Sequence, residues 1–127
     1  MKHILFIALG LVLVTTACSD QRKLNKDIQG VWNLTEENGV QVTDYTMKLE
    51  FTKFDKSTGD FLLTFGYADG TPGYTDAGEY VVREAATAIG LTYQDGVTTD
   101  AWNILDQGDD FLLVISAADS TTFRFER

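Results

Sequence analysis

Histidine, cysteine and proline each occur once in these 127 residues, and the histidine and cysteine, His3 and Cys18, both fall in the first eighteen. Beyond them no imidazole or thiol remains. That excludes thiol catalysis, a Ser-His-Asp arrangement and the usual zinc ligand sets. Basic residues are also scarce, ten Lys and Arg against nineteen Asp and Glu. Such a balance repels nucleic acid and anionic lipid headgroups, and its commonest role is to keep a protein soluble. No glycine cluster forms a phosphate-cradling loop ahead of a helix. The neighbouring carboxylates Asp109 and Asp110 would point to opposite faces of a strand and cannot converge on one bond. The acidic turns "DKSTGD" and "DQGDD" lack the ligand order of a calcium loop. With no nucleophile, base or ligand set in sight, no enzymatic activity, no cofactor and no metal site is expected.

One long apolar run is present, and it comes first. Met1-Lys2-His3 is followed by "ILFIALGLVLV", Ile4 to Val14. The run is shorter than the ~20 residues that span a bilayer, and it fits the core of an export signal. Residues 1–17 are therefore read as a removed signal peptide. Cleavage takes Lys2 with it, so nine basic residues remain against nineteen acidic ones. Cys18 follows Thr15, Thr16 and Ala17, small residues where a signal peptidase cuts. The stretch resembles the lipobox of bacterial lipoproteins, with threonine at Thr15 where that pattern usually has leucine. The resemblance implies that Cys18 is lipidated and anchors the chain to a membrane; the alternative is plain cleavage near Ala17 that leaves a free thiol. By the same resemblance Ser19 implies sorting to the outer membrane of the cell envelope. The next stretch, "SDQRKLNKD", is polar and mixed in charge, so residues 18–27 read as a flexible tether. One domain, 28–127, follows.

After Lys26 no stretch sustains a helical period, and the alternation is two. Eight strands are predicted, over 31–37, 44–54, 60–67, 78–84, 87–93, 99–105, 111–117 and 121–126. Asn38-Gly39, Gly59 and Asp95-Gly96 supply turn chemistry between them. Residues 67–76, with Pro72, form the one extended loop expected. Short connections imply an antiparallel meander. One face of each strand is apolar, as with Tyr45, Met47, Leu49 and Phe51 against Thr46, Lys48, Glu50 and Thr52. The seventh, "FLLVIS", is apolar on both. Such strands close into a barrel or fold as a sandwich, and closure removes the unpaired edges.

The segment "DIQGVWNLTEE", Asp27 to Glu37, opens the first strand with Gly30-Val31-Trp32. Together with Arg124 in the last strand and the eight-strand meander, it resembles the lipocalin and calycin barrels, more closely the small lipocalin-like domains of bacterial lipoproteins. The resemblance implies an all-β, eight-stranded antiparallel up-and-down barrel over residues 28–127. It further implies that Gly30 lets the chain turn beneath the barrel and that Trp32 plugs the closed end. Arg124 would lie across the indole, with Arg127 as its substitute.

Inward-pointing aromatics leave two interiors open. They meet at the axis and fill the barrel, or they splay at the mouth and line a pocket. Tyr45, Phe65, Tyr80, Tyr93 and Trp102 are the candidate lining residues. The first functional expectation is a non-enzymatic envelope lipoprotein that binds a small hydrophobic molecule. The alternative is a protein-interaction module, an inhibitor or accessory subunit of an envelope complex, with a packed barrel acting through its loops and through Tyr67, Pro72 and Tyr74. A pocket above about 300 Å³ lined by Tyr and Trp distinguishes the first from the second.

Overall fold

The predicted alternation is carried directly into burial. In β3 (Tyr45–Asp55), Met47, Leu49 and Phe51 are buried while Thr46, Lys48 and Thr52 face solvent. The computed structural model describes residues 20–83 and 86–127; residues 1–17 and Cys18, read above as signal peptide and lipidation site, lie outside them. The other strands are β1 (Gly30–Glu37), β2 (Val40–Gln41), β4 (Thr58–Tyr67), β5 (Tyr74–Val82), β6 (Ala88–Tyr93), β7 (Thr99–Gln107), β8 (Phe111–Ser116) and β9 (Thr122–Glu126). β2 is a two-residue hairpin return on β1; the remaining eight make the barrel.

Every neighbouring pair is antiparallel, in the order β2-β1-β3-β4-β5-β6-β7-β8-β9. The sheet then closes, with Leu34 opposite Phe125 and Glu37 opposite Phe123. β1 divides its length between two neighbours. Its first half, Gly30 to Asn33, pairs with β3, and its second half, Asn33 to Glu37, pairs with β9. Closure leaves no long unpaired edge on the eight-strand wall, which is what an antiparallel meander gains by rolling up. The fold is therefore the expected eight-stranded antiparallel barrel.

Two segments depart from expectation. The first is the tether. Residues 20–27 are helical, and the helix lies across one end of the barrel. Leu24 and Ile28, four apart and so on one helix face, are 3 % and 2 % exposed. Asn25 is wholly buried. Its Nδ2 donates to the carbonyls of Lys56 and Thr58, both at 2.9 Å, in the turn between β3 and β4. Its Oδ1 accepts from the Tyr80 hydroxyl, and Gln29 Nε2 donates to that hydroxyl at 2.6 Å. Residues 20–27 are thus a docked plug rather than a flexible spacer.

The second is the loop expected over 67–76. It shrinks to 68–73, because β5 starts at Tyr74, which pairs with Phe65. Gly78, expected to begin that strand, lies in its middle. A Cβ there would stand 2.0 Å from the Thr92 carbonyl oxygen and 2.9 Å from the Phe61 ring, so the glycine allows a close approach at a barrel bend.

The base of the barrel is solid. Phe51, Phe61, Tyr80, Ile89, Leu91, Leu112, Val114 and Phe125 are all buried there with Trp32. Trp32 Nε1 donates to the Ile28 carbonyl at 2.9 Å, so the indole plugs the closed end as its position implied. The arginine across it is Arg127, whose Cζ lies 4.1 Å from the ring centroid. Arg124 instead covers Phe111 on the outside, at 4.6 Å, and pairs with Glu36 and Glu126 at 3.9 Å each. The expectation for Arg124 fails on strand parity. Phe123 and Phe125 point inward, so Arg124 points out; Arg127 shares the inward parity. Gly30 completes the corner with φ of +114°, a conformation that only glycine adopts readily.

Candidate functional site

In a meander, alternate connections fall at opposite ends. The helix and the connections 56–57 and 108–110 close the base, while 38–44, 68–73, 94–98 and 117–121 surround the other end. That second end is open. A cavity of about 390 Å³ enters it, within the volume range of small-molecule sites.

Met47, Leu63 and Trp102 form its floor, all buried. Tyr45, Phe65, Tyr93 and Phe123 form half-buried walls. Tyr67 and Tyr74 stand at the rim. Two aromatic ladders stiffen the walls. On one side Phe65 stacks on Tyr74 with centroids 4.6 Å apart, and Tyr67 follows at 6.5 Å. On the other, Trp102 bridges Phe125 of the core at 5.7 Å to Phe123 of the wall at 6.0 Å. Offset and tilted pairs of this kind are favourable beyond their buried area.

Of the five candidate lining residues, Tyr45, Phe65, Tyr93 and Trp102 meet at this cavity. Tyr80 does not. It is buried at the opposite end, where Asn25 and Gln29 hold its hydroxyl and its ring packs edge-on against Phe51 at 4.8 Å. Tyr80 sits near the base end of β5, so its inward parity is right and its height is wrong.

Carboxylates enter the aromatic wall, and the sequence reading missed them. Glu37 Oε2 accepts from the Tyr45 hydroxyl at 3.0 Å, across the place where β1 and β3 have stopped pairing beyond Asn33 and Lys48. Asp100 is held by four donors. Its Oδ2 accepts from Ser116 Oγ at 2.7 Å and Trp102 Nε1 at 3.1 Å, and its Oδ1 from the amides of Ala101 at 2.7 Å and Ala118 at 3.3 Å. Asp119 stands on the rim. The sequence signal was the two-residue step from Asp100 to Trp102, which places both on the inward face.

The phenols respond. Burial, then the hydrogen bond to Glu37 and its charge, pushes Tyr45 above the ordinary phenol value. Tyr93 is raised first by burial, then by the charges of Asp76 and Asp100. Both stay neutral donors at physiological pH, and neither is positioned as a general base. Among the described residues no three His, Cys, Asp or Glu side chains gather as a metal site would require. Two larger hollows, of about 460 and 550 Å³, lie along the outer faces of β4, β5 and β6 and carry outward-facing Asp60, Glu79 and Thr92. They are surface relief, with Tyr80 the one aromatic lining residue of the first and Phe61 and Tyr93 those of the second, against the seven that line the mouth.

No protein-family model and no curated protein matches the chain. Among solved structures, a redesigned β-barrel is similar, with a TM-score of 0.57 and 14 % identity over 82 % of this chain and 94 % of that one. A de novo designed fluorescence-activating β-barrel is also similar, with a TM-score of 0.53 and 13 % identity over 81 % of this chain and 95 % of the other. At this identity the likeness is one of fold.

Proposed function

We propose that this chain is a lipocalin-like, non-enzymatic lipoprotein of the cell envelope whose barrel mouth binds a small hydrophobic molecule. The observation that carries the reading is the mouth cavity of about 390 Å³, walled by four of the five tyrosines and floored by Trp102. Apolar walls with a few placed polar groups are the usual build of a small-molecule site. The base is packed and the mouth is not. The Gly30, Trp32 and Arg127 corner supports the lipocalin-like reading of the barrel. Tyr67 and Tyr74, the side chains an interaction loop would offer, stand at the cavity rim, with Tyr74 stacked on Phe65 of its wall. That favours the carrier over the docking module.

The anchor fits this arrangement. Lipid on Cys18 would attach two residues before the helix that crosses the base, so the mouth would face away from the outer membrane and remain open to its ligand. The test is native mass spectrometry of the chain purified from its own envelope, with titration of a neutral apolar probe, N-phenyl-1-naphthylamine. Retained small-molecule mass, and probe binding weakened by Trp102→Ala in a folded variant, are the expected results. A chain that carries no small molecule and binds no apolar probe at the mouth overturns the proposal.

A further inference from the structure

The charge at the mouth is of one sign. Glu37 and Asp100 stand half-buried in the aromatic wall, Asp119 is at its edge, and no Lys or Arg lines the cavity. The nine basic residues from Arg22 onward are all placed elsewhere. The helix, the base turns and the strand ends beside them hold seven, and Lys48 and Arg124 lie on the outer wall. Every connection around the mouth or the strand end beside it is acidic, with Asp44, Asp69, Asp95 and Asp119 in the loops themselves. Three of these are kept ionised. Asp69 and Asp95 are held below the usual carboxylate range first by the hydroxyls of Thr71 and Thr98, and Asp119 first by the Thr121 amide.

Resting on the carrier reading, we infer that the ligand of the mouth is an organic cation: one ammonium or similar centre on an apolar body. Acidic residues that serve only solubility belong on the outer surface. Glu37 and Asp100 are instead half-buried in the wall, where hydrogen-bond donors meet them but no described Lys or Arg pairs with them. The three ion pairs formed by described residues, Lys53–Asp60, Arg124–Glu36 and Arg124–Glu126, all lie outside the mouth. A cationic ligand would supply the missing countercharge. Its charged centre would also lie among the aromatic rings that line the cavity, Tyr45, Tyr93 and Trp102 among them, and aromatic rings attract cations through their quadrupoles. The acidic rim adds long-range steering of the same sign, focused at a low-dielectric opening. An anion is disfavoured at every step.

Three probes of one shape separate the outcomes. They are (1-naphthylmethyl)trimethylammonium, its uncharged carbon isostere 1-neopentylnaphthalene, and the anion 1-naphthylacetate. Binding to the full chain in nanodiscs, with empty nanodiscs as reference, is read by calorimetry and by Trp fluorescence. The ammonium should bind about tenfold or more tighter than the isostere, and only its affinity should weaken with salt. Asp119→Asn at the rim and Glu37→Gln in the wall should each lower ammonium affinity by about two- to tenfold, and by more than they lower that of the isostere. Equal binding of ammonium and isostere, or tighter binding of the carboxylate, overturns the cation inference while the carrier reading stands. No binding of any probe overturns both.

Discussion

At the scale of single residues, the two arginines near the C-terminus show how a period of two assigns roles. Arg124 and Arg127 are three apart, so they cannot share a face of an extended strand. Arg127 does three things from the inward side. It covers Trp32, and its Nη1 and Nη2 donate to the carbonyls of Gln29 at 3.0 Å and Asp27 at 2.8 Å, where the helix ends. Its Nε reaches the Asp109 carbonyl at 2.9 Å. One guanidinium thus ties the helix, β1 and the β7–β8 turn together. Arg127→Ala should cost about 1–3 kcal/mol in denaturant unfolding, the sum of a cation–π contact and several charged hydrogen bonds on a partly exposed side chain. Arg124→Ala, which loses exposed ion pairs and one outer contact, should cost less than about 1 kcal/mol. The reverse order would overturn the assignment. The correct arginine was legible, since parity with Phe123 and Phe125 alone picks Arg127; the placement of Arg124 within the last strand drew attention from it.

The tyrosines set a second prediction. Burial is the leading cause that raises Tyr45, Tyr74, Tyr80 and Tyr93 above the ordinary phenol value. The folded chain therefore holds these protons more tightly than the unfolded chain, whose phenols ionise near pH ~10. Protonated phenols favour the folded state fully below that pH, and their contribution is lost as pH rises through the higher folded values. Unfolding free energy should be flat in this respect up to about pH 9 and fall steadily above about pH 10. Tyr93→Phe should make that fall shallower. An alkaline limb that rises, or that ignores the substitution, would show that the phenols are not shifted as described.

At the scale of elements, the strands were legible and the helix was not. Alternating apolar residues and Asn-Gly or Asp-Gly turns specify strand existence and face in a way that survives folding. Helix 20–27 and the residue after it carry only Leu24 and Ile28 as an apolar stripe, too little to show a period against seven polar neighbours. A helix this short is marginal in water on its own. What forms it is the base of the barrel, which buries that stripe and satisfies Asn25, and those partners lie 31 to 55 residues away in the chain. Long-range hydrogen bonds of that kind leave no local mark on the sequence. Asn25→Ala should therefore destabilise the whole domain by about 1–3 kcal/mol, because it removes the donor to two carbonyls and the acceptor of the Tyr80 hydroxyl from a wholly buried position. Asn25→Ala with wild-type stability in thermal and denaturant melts would mean that the helix is loosely held. Gly78 taught the same lesson from the strand side. A glycine read as a strand start was a strand interior, since only the approach of Thr92 and Phe61 demands it.

At the scale of the molecule, the barrel was one of two folds the alternation allowed, and closure was the step that the sequence left open. Local pattern fixes which side of each strand is apolar; whether the first and last strands meet depends on shear and tilt accumulated over the whole sheet. The site inherits the same limit. Parity placed Tyr45, Phe65, Tyr93 and Trp102 on the inner wall, but their height along the axis decided that they line a cavity while Tyr80, of equal parity, is core. Strand register settles height, and it is not written in any one strand. Closure itself can be measured. In an open sandwich the first and last strands would present unpaired amides and exchange early. Here β1 and β9 pair from Asn33–Glu126 to Glu37–Phe123, and β9 also pairs with β8 along its length. Amide exchange of Leu34 and Phe125 should thus be as slow as that of Leu63 in the central β4, within about tenfold, and all three should collapse together as denaturant reaches the global transition. Amides in β1 and β9 that exchange well ahead of β4 would open the barrel at that seam, and with it the mouth whose walls the two strands help to build.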